Sequence, residues 1–379
     1  MYNKSIFSPN HNNLDSRLRG NDVTRIGVIG GGQLAQMLAQ AAAPLSIEVY
    51  ALVDNPDCPA QHDAKLMIGD QNNPHDVKNF LSEIDVLTFE FENVNFTYLE
   101  NTYTPIYPPL SALKIAQDRE LEKTCFVDNA VPTTQFKITH NQAECRAAIN
   151  EIGLPVVIKT CRDGYDGKGQ AVIRSTSDLE TKWSLFEGKR VIVENLVKFD
   201  REVSIIAVRS QKGEIAFYPL TENQHRDGIL RISRAPYQNP HLQNLAEHYA
   251  AKILKSLKYV GVLAIEFFVV GEQLIANEMA PRVHNSGHWT IEGTHTSQFE
   301  NHIRAVAGLP LGSTAARGYS AMVNFIGELP DVEAISALKN VHFHSYHKTA
   351  RPGRKLAHAT VCAESKKELE NVLDLLLKL

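Results

Sequence analysis

Ile26-Gly27-Val28-Ile29 is an apolar run of strand length. It breaks at Gly30-Gly31-Gly32 into Gln33-Leu34-Ala35-Gln36-Met37-Leu38-Ala39, whose apolar spacing fits a helix. A second apolar run, Ile47–Val53, stops at Asp54 and a proline-rich turn, and Asp85–Phe89 is a third, ending on the carboxylates Glu90 and Glu92. Strand and helix alternating at this spacing predict a parallel sheet, and the pattern closes near Pro108-Pro109. From about 112 to 195, helices mix with short strands around one glycine-dense loop. Val203–Val208, Ile215–Pro219 and the pair Leu263–Val270 and Gln273–Ala276 read as further strands, with a helix from about His241 to Leu257 before the last pair. The closing segment, about 315 to 379, carries strands of its own and a terminal helix. No internal repeat or low-complexity tract is visible.

A chain of 379 residues has room for two or three domains sharing a cleft. Its 43% hydrophobic and 22% charged content is that of a globular protein and not of a disordered chain. A net charge of −4 gives no global reason to bind nucleic acid, so an anionic ligand needs a local basic cluster. The five cysteines are scattered without CxxC spacing, which predicts a reduced cytoplasmic protein with neither a disulfide framework nor a zinc site. No apolar run approaches the roughly 18 residues that span a bilayer. Residues 1–22 are polar and lack the apolar stretch of a secretory signal, and are expected to be a disordered extension.

Several clusters carry candidate chemistry. Gly30-Gly31-Gly32 after a strand is a weak dinucleotide-like turn, able to bring an anion to a helix N-terminus. A stronger signal begins where Val156-Val157-Ile158 delivers Lys159 to the loop Gly164-Tyr165-Asp166-Gly167-Lys168-Gly169-Gln170. Its glycines free the backbone to fold over phosphates while the lysines neutralise charge, although the Walker ending is absent. Glu194-Asn195-Leu196-Val197 ends a strand whose edge could meet an adenine, with Glu194 accepting its amino group, and Glu202 could accept from ribose hydroxyls. Glu266 and Glu278 sit inside apolar strands, where acids are costly unless paired or metal-bound. Twelve residues apart across a hairpin, they are expected to face one side as magnesium ligands, with pairing to arginine as the structural alternative. Arg282, His284 and Asn285 follow as oxyanion donors. Lys348, Arg351, Arg354 and Lys355, with His347 and His358 among them, form a basic cluster suited to a phosphate monoester.

In this order, Gly30–Leu34, Lys159, Gly164–Gln170, Glu194–Val197, Glu202, His225, Glu266, Asn277-Glu278 and Arg282–Thr290 resemble the ATP-grasp enzymes. Within them they resemble the 5-(carboxyamino)imidazole ribonucleotide synthases, from about Arg25 to the C-terminus. The resemblance implies an α/β (α+β overall) architecture: an N-terminal Rossmann-like parallel-sheet domain at 23–111, an ATP-grasp domain at 112–312 with its lid at about 120–195, and a small C-terminal domain at 313–379. It implies that Arg119 and Lys159 bind ATP phosphates under a flap at 164–170. Glu194–Val197 would hold adenine, Glu202 the ribose, and His225 would lie near the nucleotide. Glu266 and Glu278 would ligate magnesium, with manganese as a substitute, beside Asn277. Tyr165, Asp166, Lys168, Arg282, His284 and Asn285 would act on bicarbonate and the amine. Gly32, Gln33, Leu34, Glu90, Lys348, Arg351, Arg354 and Lys355 would contact the aminoimidazole ribonucleotide. A cytoplasmic homodimer is implied, with no membrane or nucleic-acid partner. Three positions depart from the family: Val283 for proline, His347 for glycine before Lys348, and Ala357 for glycine.

The implied reaction is ATP-dependent carboxylation of a phosphorylated amine through carboxyphosphate, with ADP and phosphate released. Asp166 is the candidate for steering the amine proton. One rival is an NAD-dependent oxidoreductase built on Gly30–Gly32, which leaves Glu266, Glu278 and the 164–170 loop without a task. Others are a different ATP-grasp carboxylate–amine ligase and a binding module without catalysis.

Overall fold

The computed structural model describes residues 24–162, 164 and 169–379. Four parallel strands, β1 (Arg25–Ile29), β2 (Glu48–Val53), β3 (Lys65–Ile68) and β4 (Val86–Phe89), lie in the order β3-β2-β1-β4. Helices Gln33–Ala42 and Pro74–Glu83 make the crossovers. Asn73 caps the second helix by accepting from the His75 N–H, and Pro74 supplies its first turn without wasting a donor. The edge strand β3 was not evident from its sequence, because it is short and only partly buried.

Four antiparallel strands follow: β5 (Phe136–Thr139), β6 (Val156–Thr160), β7 (Gln170–Ile173) and β8 (Val191–Asn195), ordered β5-β8-β6-β7. Two helices, Gln142–Ile152 and Thr176–Lys182, close over them, the second started by a Ser175/Asp178 capping box. Cys145, Ile149, Val156, Ile158, Phe186 and Val193 form a core belonging to this unit alone. A small element with its own core can move as a body, which is what a lid requires.

The remaining strands are β9 (Arg201–Arg209), β10 (Ile215–Phe217), β11 (Thr221–Arg226), β12 (Ile229–Ala235), β13 (Gly261–Val270), β14 (Gln273–Ala280), β15 (Tyr319–Ile326), β16 (Val341–Ser345) and β17 (Lys355–Ala363). They form one sheet in the order β14-β13-β9-β11-β12-β15-β17-β16, with β10 on β9. The C-terminal strands thus continue the central sheet through β12 and β15, where Ile232 opposes Val323, while packing their outer face on a separate cluster that includes Leu369 and Leu373. β11 and β12 carry little apolar signal, since Asn223, Ser204 and Ser233 form a buried hydrogen-bonded row there. A shared core of Ile26, Val28, Leu38, Ile206, Val208, Phe299 and Ile303 fastens the first domain to this sheet. Among the described residues no helix is long and apolar enough to cross a membrane.

Candidate active site

The three parts meet around a cavity of about 670 Å³. Its lining gathers most of the residues singled out from the sequence. Gly32, Gln33, Leu34 and Glu90 come from the first domain; Lys159, Gly164, Gln170 and Glu194–Val197 from the lid. The central sheet and its neighbours add Arg119, Glu202, His225, Glu266, Asn277, Glu278, Arg282, His284, Asn285 and Lys355. Tyr165, Asp166, Gly167 and Lys168 lie outside the described residues.

Glu266 on β13 and Glu278 on β14 are directly opposed across the antiparallel pair, just before a bulge. Burial and then the charge of Glu278 push the Glu266 carboxyl up to about 8. Arg119 reaches Glu278 at 3.5 Å, and His284 Nε2 stands 3.6 Å from Glu266. Asn277 lines the same cavity with its buried Oδ1 unpartnered. Two facing acids and an orphaned amide oxygen make an all-oxygen donor set, which fits a hard dication. No cluster of three His, Cys, Asp or Glu ligands occurs among the described residues. An oxygen-only donor set suits magnesium, which keeps waters and shares substrate phosphates, better than zinc, which favours nitrogen and sulfur ligands.

Four expectations about side chains need correcting. The glycine turn does not present an empty anion site, because Glu90 occupies it. Its carboxylate accepts from the Gly32 N–H at 2.5 Å and the Ala35 N–H at 3.1 Å. A Cβ on Gly30 would fall 2.4 Å from a Glu90 oxygen, so the glycines make room for this acid. A dinucleotide phosphate there would meet like charge, which removes the basis of the oxidoreductase rival. Glu194 is also unavailable to an adenine amino group, being only 2% exposed. It accepts from Thr134 at 2.6 Å and pairs with Lys159 at 2.9 Å and Lys123 at 3.2 Å. Despite burial, the two lysines hold its carboxyl well below the usual range.

Arg282 is not an open fork either: its Nε donates to Glu92 at 2.7 Å, Nη2 to Glu92 at 3.3 Å and Nη1 to the Val283 carbonyl at 3.1 Å. One edge of the guanidinium is therefore committed, which fixes its orientation. Asn285 exchanges amide hydrogen bonds with Asn324 at 3.1 and 2.7 Å, so part of its donor capacity is already used.

Glu202 and His225 form a 2.5 Å pair. Burial disfavours the imidazolium, but the hydrogen bond to Glu202 and the charge of Glu266 outweigh it and raise the His225 pKa. Burial and the Arg282 charge keep His284 neutral. Of the basic cluster, Lys355 lines the cavity, whereas Lys348, Arg351 and Arg354 lie outside its lining. Lys348 hydrogen-bonds the Gln33 side chain, and burial lowers its pKa to about 8. Arg351 is exposed, and Arg354 donates to the Thr349 carbonyl at 3.0 Å. His347 has φ +51°, the left-handed conformation that explains why glycine suits that position.

Sequence reasoning named Glu92 without its partner Arg282, and missed Lys123 and Glu122. Glu122 accepts the Met279 N–H at 2.6 Å, and burial pushes its carboxyl up to about 7. A signal for the last two existed: Cys125 and Phe126 point inward, so positions three residues earlier on the same helix must also face in. Phe199 and Phe268, stacked at 4.7 Å on the cavity wall, carried no comparable signal.

A cleft under a lid with its own core, with facing acids, a lid lysine and a glycine-dense loop, defines an ATP-grasp enzyme. The ATP-grasp domain model matches residues 124–299, flanked by a ribonucleotide synthetase preATP-grasp domain at 23–117 and a phosphoribosylaminoimidazole carboxylase C-terminal domain at 320–372. The chain is 48% identical to N5-carboxyaminoimidazole ribonucleotide synthase of Pseudomonas aeruginosa, over 90% of this chain and 95% of that protein. The crystal structure of the synthetase from Thermus thermophilus superposes with a TM-score of 0.89 at 47% identity, covering 93% of this chain and 98% of that one. The Aspergillus clavatus synthase, solved with ADP and 5-aminoimidazole ribonucleotide, gives 0.86 at 29% identity, covering 94% and 99%. The chain belongs to the N5-carboxyaminoimidazole ribonucleotide synthase family.

Proposed function

We propose that this chain carboxylates 5-aminoimidazole ribonucleotide with bicarbonate in purine biosynthesis, converting ATP to ADP and phosphate. The observation that carries the reading is the Glu266–Glu278 pair facing the same cavity as Lys159 and Arg119. Those two acids would hold magnesium, or manganese in its place, beside Asn277, and such an ion would supply charge neutralisation at the terminal phosphates.

Lys159 and Arg119 spread the remaining phosphate charge. A bicarbonate oxygen attacks the γ-phosphorus, the bond to the β–γ bridging oxygen breaks, and its electron pair leaves on ADP. Arg282, held by Glu92, and neutral His284 are assigned to bind the carboxyphosphate so formed. That anhydride hydrolyses in water, so closure of the 164–170 flap is needed to exclude solvent. The exocyclic amine then forms a bond to the carboxyl carbon, directly or after phosphate loss leaves trapped CO₂. Phosphate departs with the C–O electron pair, and Asp166 is assigned to receive the amine proton. Lys348, Arg351, Arg354 and Lys355 are assigned to the ribonucleotide phosphate, with Gln33 and Leu34 beside it.

A homodimer and a cytoplasmic location belong to the same reading; all five cysteines are free, which suits a reducing compartment. The test is ADP release with bicarbonate, in the presence and absence of aminoimidazole ribonucleotide. Release that rises with this amine and not with other phosphorylated amines supports the assignment. Release indifferent to it would favour another ATP-grasp carboxylate–amine ligase.

A further inference from the structure

Lys123 is fully buried, a rare place for an ammonium group, and no step above uses it. It ties three elements together. From the helix Arg119–Asp128 its Nζ donates to the Asn277 carbonyl at 2.7 Å and the Ala276 carbonyl at 3.3 Å on strand β14, which carries Glu278. It also meets Thr133 Oγ1 at 3.1 Å and Glu194 of lid strand β8 at 3.2 Å. Glu194 is thereby held between two lysines. They are not equivalent, since Lys159 is 12% exposed at the cavity and Lys123 is sealed.

Only Lys159 can turn towards a ligand. If it did so without another cation beside Glu194, a buried carboxylate would be left uncompensated, the arrangement that makes breaking a buried pair so costly. Lys123, with Thr134, already supplies that compensation. We propose that Lys123 is a positioning residue for ATP binding, the standing counter-charge of Glu194 that lets Lys159 leave it for the nucleotide phosphates. The proposal rests on the reading of Lys159 as a phosphate ligand.

The test is titration calorimetry of MgATP on purified full-length variants, with the KM for aminoimidazole ribonucleotide measured in parallel. Lys123→Met leaves Lys159 as the only lysine on Glu194, and MgATP affinity should fall about tenfold or more, the size of one lost charge-assisted contact, with the KM for the amine unchanged. In Lys123→Met/Glu194→Gln nothing retains Lys159, and affinity should return to within about threefold of wild type. A purely structural Lys123 would make the double variant no better than the single one, and that result overturns the proposal. Should Lys123→Met not fold, Glu194→Gln decides: MgATP binding equal to or tighter than wild type supports the proposal, and weaker binding overturns it. Lys159→Met reports on the parent reading: undiminished MgATP affinity there removes Lys159 from the phosphates and the proposal with it, whereas loss of affinity there with no rescue in the double variant defeats the proposal alone.

Discussion

His302 joins the first domain to the central sheet, and its protonation should loosen that joint. The ring is fully buried. Val262 N–H donates to Nδ1 at 3.1 Å, so Nε2 carries the proton and donates to Thr88 Oγ1 at 2.7 Å. Gly261 makes space for the ring, since a Cβ there would stand 3.0 Å from it. Burial lowers the His302 pKa from 6.5 to about 4. Because the folded pKa lies below the unfolded one, the unfolded chain binds the proton first. Stability present above pH 6.5 is therefore lost as pH falls towards 4. At about 1.4 kcal/mol per unit, the loss from this group is about 2 kcal/mol by pH 5 and about 3 kcal/mol by pH 4.

His302→Gln offers an acceptor and a donor of similar reach without a titrating group. Urea denaturation of both proteins from pH 7.5 to 5 isolates the effect from the other buried histidines, which appear in both. The wild-type advantage at pH 7.5 should shrink by about 2 kcal/mol at pH 5. Parallel stability curves would refute the argument.

Other outcomes follow from the site and its rim. Glu266→Gln should lower amine-dependent ADP release at least about a hundredfold at fixed magnesium while leaving the fold intact by circular dichroism; a loss below about threefold would remove Glu266 from the cation site. At His347, with φ +51°, glycine should change unfolding free energy by less than about 1 kcal/mol, whereas β-branched valine should cost more than about 1 kcal/mol in thermal or urea unfolding. Equal stability of the two variants would show that the left-handed backbone is not maintained.

The elements most readable from sequence were those whose side chains face a core on both sides, such as β1, β4 and β13, where apolar runs are nearly unbroken. β11 and β12 escaped because one face lines a polar cleft and polar side chains, Asn223 and Ser233 with Ser204 of β9, take buried positions there. The acids Glu266 and Glu278 stood out because an apolar strand makes a carboxylate conspicuous. Glu90 and Glu92 were conspicuous too, but not their partners. That Glu90 fills the glycine turn and Glu92 holds Arg282 are contacts across 58 and 190 residues, which local pattern cannot encode. Lys123 was hidden by being a lysine: its sequence neighbours suggest a surface helix until the inward face is traced from Cys125 and Phe126.

The measurement closest to the chemistry is the fate of bicarbonate oxygen. With ¹⁸O-labelled bicarbonate in unlabelled water, attack on the γ-phosphorus predicts one ¹⁸O in each phosphate released, detected by mass spectrometry and dependent on aminoimidazole ribonucleotide. Phosphate carrying only solvent oxygen would mean that water attacks ATP, and carboxyphosphate would not be on the path.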